Sequence, residues 1–339
     1  GIVIKSSVPI NISSVSGELA AAARKAVPGE LVTELELEQW GQVDSFDFEK
    51  RRQELQNLVA KAVKPKARFG ARLNLARYYF SNGYAAESLA LLKIIQADNS
   101  ANLNNTEGML LFAGSNFLLG RYESSAKYLR SSELDKIDEA AFWRAATIAK
   151  SGKMIAGAYE MQRTGEVIKT YPNPLRIPLA TLIADAAVTI GQDKRAKDMI
   201  KKIKKMEPTL KQEAELKFIE GKIAEADGNQ EGAVNKWEEV LSIGNLPSFV
   251  KASAARVNTL MRMERMKPAE SIRELEKLRY MWRGDEFEFQ LLRRLGTLYL
   301  NEKGYRRGLK SLRQAVTYFN NHKEVPVITE QMSDTFNFL

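Results

Sequence analysis

From about residue 46 onward, apolar residues recur at three- and four-residue spacing, and Gly, Pro and Asn interrupt them every 12 to 18 positions. That periodicity predicts amphipathic helices joined by short turns. The chain ahead of it reads differently. Residues 2–13 alternate apolar and polar like a strand, with Pro9 breaking the run. One strand cannot bury itself, so this segment is either the end of a preceding β-rich region or an arm packed on the helices. Residues 16–26 predict an Ala-rich helix with a Ser cap, ended by Pro28-Gly29. Residues 30–40 fit either a short helix or an extended connector. Asp44-Ser45 or Asp47 caps a longer helix to about Val63, before Pro65.

The helical region repeats itself. Glycines at 83, 120, 152, 191 and 228 are spaced by 37, 32, 39 and 37 residues. Seven positions before each stands a small residue: Ala76, Ala113, Ala145, Ala184 and Gly221. Five positions after each stands another: Ser88, Ser125, Gly157, Ala196 and Ala233. A small residue on each helix of a pair allows a close crossing, and the glycine supplies the left-handed residue that ends the first helix. Two weaker copies follow, one turning at Lys267-Pro268-Ala269-Glu270-Ser271 and one at Gly304-Tyr305. A large apolar residue four places after the second small one (Leu92, Leu129, Met161, Ile200, Trp237) fills the space towards the neighbouring repeat.

This layout resembles the tetratricopeptide repeat over residues 66–320, best in the fourth copy, where Pro208 falls at the motif's end. It departs from the motif at the fourth position, usually a large aromatic, which is Arg72, Met109 and Ala141 in the first three copies. The resemblance implies an all-α fold: a right-handed α-α superhelix of about seven helix pairs, behind a short extended N-terminal segment. Residues 1–15 are then the extended segment, 16–65 N-terminal capping helices, 66–320 the repeats, and 321–339 a linker and the start of a further helix. The blocks Arg68–Tyr79, Leu278–Asp285 and Leu291–Gly296 also resemble a long alphaproteobacterial family of uncharacterised, exported repeat proteins. That likeness implies an upstream β-rich region and a place in the bacterial periplasm or cell envelope, with the cytoplasm as the alternative. Gly1 in place of Met reads as a processed or excised start, so an export signal would lie upstream.

In such superhelices the first helix of each pair lines the concave face. Carried onto this chain, the repeat register places Arg77, Phe80, Phe117, Phe142, Lys150, Asp185, Phe218, Lys222, Arg256 and Arg293 in the groove. Aromatic and arginine side chains there suit an extended peptide or a partner helix. Phenylalanine at helical spacing is equally a core residue.

Composition removes most chemistry. Among 339 residues there is no Cys and one His, which leaves no disulfide framework, Cys nucleophile, zinc cluster or two-imidazole site. Gly152-Lys153-Met154 lacks the partner glycine and Ser/Thr of a phosphate loop, and there is no GxSxG elbow. His322 sits in a polar stretch and reads as a solvated loop side chain. The carboxylate pairs Glu238-Glu239 and Glu274/Glu276 lie beside Lys or Arg at helical spacing and read as solvated faces. The expectation is no enzyme and no cofactor.

Net charge is +9. Its sharpest concentration is Lys194, Arg195, Lys197, Lys201, Lys202, Lys204 and Lys205, continuing to Lys211. Met199, Ile200 and Ile203 turn one face of that helix to the core, so the lysines fan over the rest. The plain reading is a solvated outer face; the functional one is a patch for an acidic protein, an anionic polymer or a membrane surface. Interspersed acids and the lack of a recognition motif argue against nucleic acid, and no run is long enough to span a membrane. The expectation is a non-catalytic protein-interaction scaffold whose partner the sequence does not identify, with self-association left open. The alternative is anionic polymer or membrane-surface binding through residues 194–211.

Overall fold

A computed structural model describes residues 31–41, 45–98, 103–244 and 247–339. The segments 2–13 and 16–26 lie outside them. The described residues contain helices and no strand. An extended stretch from residue 31 ends in a 3-10 turn at Glu38–Trp40. Sixteen α-helices follow among the described residues. They are α1 (Ser45–Lys61), α2 (Pro65–Ser81), α3 (Ala85–Asp98), α4 (Thr106–Leu118), α5 (Tyr122–Tyr128), α6 (Asp138–Lys150), α7 (Met154–Thr164) and α8 (Asn173–Thr189). Then come α9 (Asp193–Lys204), α10 (Leu210–Ala226), α11 (Gln230–Ile243), α12 (Pro247–Arg262), α13 (Pro268–Met281), α14 (Glu286–Asn301), α15 (Tyr305–Tyr318) and α16 (Val325–Phe338).

The chain divides into two compact units, Gly1–Ile190 and Gly191–Leu339, the boundary falling in the sequence between α8 and α9. Within each unit, consecutive helices pack on one another, α1 on α2 at the start and α15 on α16 at the end. The cores are local. Phe48 and Leu55 of α1 bury against Leu75, Tyr78 and Tyr79 of α2. Ala214, Ala233, Trp237, Val240 and Ala252 join α10, α11 and α12. Phe289, Leu292, Leu312, Ala315 and Ile328 join α14, α15 and α16.

Left-handed residues stand at 83, 120, 152, 191 and 228, as the spacing predicts, and the turns within the next two helix pairs hold Glu264 and Lys303 in the same conformation. Six of these seven turns share one hydrogen-bond pattern: the left-handed residue donates to the carbonyl three back, and the next residue to the carbonyl five before itself. That double closure satisfies carbonyls which the helix end would otherwise orphan. The sixth and seventh turns therefore sit at Glu264 and Lys303. The sequence pattern points instead to 267–271 and to Gly304, because glycine and proline are the turn signals it offers there. Gly304 itself has an ordinary φ of −80°.

The small residues make the crossings tight. Ala76, Ala113, Ser88, Ser125, Ala196 and Ala233 are fully buried. A Cβ at Gly157 would lie 2.4 Å from the Ala145 carbonyl oxygen, so α7 rests on the backbone of α6. In the last pair Gly296 and Gly308 face each other, and a Cβ on either would come within 3.3 Å of the other's carbonyl oxygen. At Gly221 the space is taken by the Trp237 indole, with its Nε1 2.3 Å from where a Cβ would stand.

Two stability predictions follow from these contacts. Gly157→Ala forces backbone apart at Ala145 and should destabilise the protein by about 1–3 kcal/mol. Glu264→Gly and Lys303→Gly relieve a left-handed L-residue and should each stabilise it by about 0.5–1 kcal/mol, the relief being partly cancelled by a looser unfolded chain. Urea unfolding midpoints test both directions.

Candidate functional site

The ten positions assigned to a groove separate by environment. In the first unit, Phe80 and Phe142 are fully buried and Phe117 is nearly so. This corrects their assignment as partner contacts, since a buried ring presents no surface. The cause is the close approach of α2 to α4: a Cβ at Gly114 would lie 2.6 Å from the Phe80 ring. Phe80, Phe117 and Phe142 gather around Trp143, with centroids at 6.2, 5.4 and 5.8 Å. The sequence reading did not single out Trp143. Lys150 is exposed at the end of α6 and Asp185 is half-buried on α8. In the second unit, Phe218 is half-buried and packs against the Ala214–Trp237 cluster, and Lys222 is half-buried beside it on α10.

The three arginines are committed to carboxylates. Arg77 grips Glu107 with two nitrogens, one at 2.7 Å, and Asn74 at 2.8 Å with a third. Arg256 donates to Glu238 at 2.8 Å, and Arg293 pairs with Glu324. Arg77–Glu107 and Arg293–Glu324 have nearly the same sequence separation, 30 and 31 residues. Each ties the first helix of a pair to the start of the next pair. They act as clasps between neighbouring pairs.

What lies on the inner helices of the first unit is the chain's own residues 31–37. Glu139, in the first turn of α6, is fully buried. One oxygen of its carboxylate accepts the backbone N–H of Glu34 at 2.7 Å and of Leu35 at 2.8 Å; the other accepts the Tyr171 hydroxyl. Tyr171 in turn accepts the Trp143 indole N–H at 3.2 Å. The Asp138 carboxylate accepts the Val32 N–H at 3.0 Å, and the Glu139 N–H donates to the Val32 carbonyl at 3.2 Å, capping α6. Further along, Thr106 on α4 donates to the Glu34 carboxylate at 2.6 Å, and Asn82 donates to the Trp40 carbonyl at 2.9 Å. Leu35 and Leu37 are buried.

Residues 31–37 therefore form a non-helical strap, and the 3-10 turn Glu38–Trp40 follows it, so the stretch holds something of both alternatives the sequence left open. Burying two leucines contributes about 1.5–3 kcal/mol each. Ordering seven backbone residues costs about 1–2 kcal/mol each. The leucines alone fall short. Three hydrogen bonds to carboxylates, at about 1.5–3 kcal/mol each, make up the difference.

Burial raises the Glu139 pKa, against the lowering effect of its hydrogen bonds from Tyr171, Leu35 and Glu34. Burial and the facing carboxylate hold the Tyr171 hydroxyl well above its ordinary range. Neither group reaches solvent.

The lysine-rich helix α9 buries Ala196, Ile200 and Ile203, as its pattern predicts. Two of its cations are taken: Lys197 pairs with Asp227 at 2.7 Å, and Lys204 pairs with Glu220. The hydrogen bond it donates to Asp227 raises the Lys197 pKa. Arg195 is half-buried, while Lys194, Lys201, Lys202 and Lys205 are exposed. His322 is not the solvated side chain expected of its polar stretch. Its ring packs on Phe289 at a centroid distance of 3.7 Å, lies 3.1 Å from Glu286, and accepts the Glu324 N–H at 3.2 Å. Phe289 supplies an apolar shelf that a local reading of Asn320–Lys323 does not reveal. Among the described residues no cluster of His, Asp and Glu is arranged to hold a metal ion, and no helix is long and apolar enough to cross a membrane.

No protein-family profile matches this chain, and no curated protein sequence matches it. Solved structures do. The chain is similar to a tetratricopeptide repeat protein from Parabacteroides merdae ATCC 43184, with a TM-score of 0.51 at 14% identity over 84% of this chain and 99% of that one. It is similar to the apo form of the quorum sensor NprR from B. thuringiensis, with a TM-score of 0.52 at 14% identity over 96% and 99% of the two chains. It is also similar to a chain of the APC/C hetero-tetramer Cut9-Hcn1, with a TM-score of 0.52 at 10% identity over 84% of this chain and 55% of that one. The fold is that of a TPR-like, all-α helical-repeat protein.

Glu139 has a measurable pH signature. A folded-state pKa above the unfolded value makes its contribution greatest below the unfolded pKa, and that contribution is lost as pH rises through the folded pKa. Glu139→Gln keeps an acceptor for the strap and removes the titration. Between pH 8 and pH 5 the wild type should gain unfolding free energy relative to the Gln variant, read from paired urea melts.

Proposed function

We propose that this chain is a non-catalytic interaction scaffold that holds extended segments of a protein partner along the first-helix face of its repeats. One observation carries the reading. The chain already binds a non-helical segment in this way, with carboxylates of α6 taking the strap's backbone N–H groups and Leu35 and Leu37 buried. Backbone bonds supply affinity and side-chain pockets supply selectivity in such recognition. In the second unit, Phe218 and Lys222 on α10 and the Arg256–Glu238 pair are the partner-facing candidates. The solved neighbours support the repeat architecture, whose stacked pairs build extended binding surfaces. Placement in a bacterial envelope assembly rests on the short sequence blocks alone.

A second reading has its own observation. Lys194, Lys201, Lys202 and Lys205 are exposed and outside the ion pairs that Lys197 and Lys204 make. An anionic polymer or membrane surface would engage them in a salt-sensitive way.

Photo-crosslinking in the source cells separates the two. A benzoylphenylalanine at position 222 should give a discrete crosslinked protein, and one at position 159 should give none. A crosslinked protein only from position 202 overturns the first-helix assignment. Salt-sensitive retention on anionic vesicles or polymer, lost in a Lys194/Lys201/Lys202/Lys205→Glu variant and without a protein crosslink, replaces the scaffold with the second reading.

A further inference from the structure

Several arginines at contacts between helices are matched by a carboxylate on a neighbour. Arg77 meets Glu107, Arg256 meets Glu238, Arg262 meets Glu225, Arg265 meets Glu231, and Arg293 meets Glu324. The face that α15 turns towards α16 has no such match. Arg306, Lys310 and Arg313 stand at i, i+4 and i+7, which sets them in one stripe along about 10 Å of helix. All three are exposed, and none belongs to an ion pair among the described residues. Tyr305–Tyr318 contains no Asp or Glu. The carboxylates on α16, Glu330 and Asp334, do not line the cleft between the two helices.

The cleft below this stripe is apolar. Leu309 from α15 and Met332 and Phe336 from α16 form its floor, around a volume of about 600 Å³. Phe336 is 74% exposed. A large aromatic left that open beside a recessed apolar space, with a cation stripe along one side, has the chemistry of a helix-receiving groove.

We propose that the α15–α16 cleft docks an acidic amphipathic helix from a partner protein. Apolar residues at i, i+3 or i+4 and i+7 of that helix fill the floor against Leu309, Met332 and Phe336. Flanking carboxylates meet Arg306, Lys310 and Arg313, supplying the anions that Arg77, Arg256, Arg262, Arg265 and Arg293 find within the chain. Charge selects the partner; the buried apolar face holds it. The partner being a protein rests on the scaffold reading, but the site lies apart from the first-helix face on which that reading is tested.

The probe is a synthetic helical peptide of about 18 residues, with leucines on one stripe and glutamates on both sides, labelled with fluorescein. Its control carries lysine in place of each glutamate. Anisotropy is measured with the full 339-residue chain. The acidic peptide should bind saturably and weaken as salt rises, and the lysine peptide should bind at least tenfold more weakly. Arg306→Glu/Lys310→Glu/Arg313→Glu should reverse that preference, and Phe336→Asp should weaken the acidic peptide at least tenfold. All substituted side chains are exposed, and circular dichroism checks that the variants stay folded.

Equal binding of both peptides, or of neither, overturns the proposal. So does binding to phosphatidylserine vesicles that the triple variant loses while the peptides are not distinguished. A dimer in sedimentation that Phe336→Asp dissolves, without peptide binding, assigns the cleft to a second copy and overturns it too. If the peptides fail while the position-222 crosslink persists, the cleft falls and the scaffold reading stands. If the acidic peptide binds without that crosslink, the first-helix assignment falls instead.

Discussion

Close crossing of two helices in each pair is the constraint on which the rest depends. Where Gly157 rests on α6, a Cβ would meet the Ala145 carbonyl oxygen at 2.4 Å, and where Gly296 faces Gly308 the Leu312 and Leu300 side chains take the space a Cβ would need. That proximity requires a turn that reverses the chain within a few residues. The left-handed residue closing the first helix provides it. Where the pairs are this tight, large side chains either lie over the small residue of the partner helix, as Trp237 does over Gly221, or pack towards the next pair. Hence the cores are chains of local clusters such as Phe289–Leu312–Ile328, each joining adjacent helices.

The turns show which of these two elements governs. Glycine supplies the left-handed conformation at five of seven positions, but Glu264 and Lys303 adopt it at an intrinsic cost of about 1–2 kcal/mol each. Their flanking hydrogen bonds match those at the glycine turns. Packing of the helices therefore sets the turn, and glycine only makes it cheaper. This is why the sequence displayed the first five repeats clearly and misplaced the turns of the last two.

The same division explains what else was legible. Helices, their buried faces and the small-residue crossings follow from spacing within some 40 residues, and were readable. The partners of polar groups were not. Arg77 finds Glu107 only after folding, and the bond between Glu139 and the strap spans 104 residues. Phe80, Phe117 and Phe142 stood on the expected helices, but nothing local distinguishes a groove-lining ring from one enclosed around Trp143. The lysine run was visible as composition, yet its division by Asp227 and Glu220 depends on a neighbouring helix. His322 carried no sign of the Phe289 ring beneath it.

The strap changes how the first unit shares load. A stack of repeats in which each pair touches only its neighbours behaves as a row of springs in series, and fails at its weakest joint. Residues 31–41 bypass that row, because they are fixed to the end of α2 by Asn82, to α4 by Thr106 and to α6 by Asp138 and Glu139. They act as a tie-rod in parallel with the joints. Opening any one joint between α2 and α6 must also stretch or detach the rod, so the first unit resists bending as a single beam.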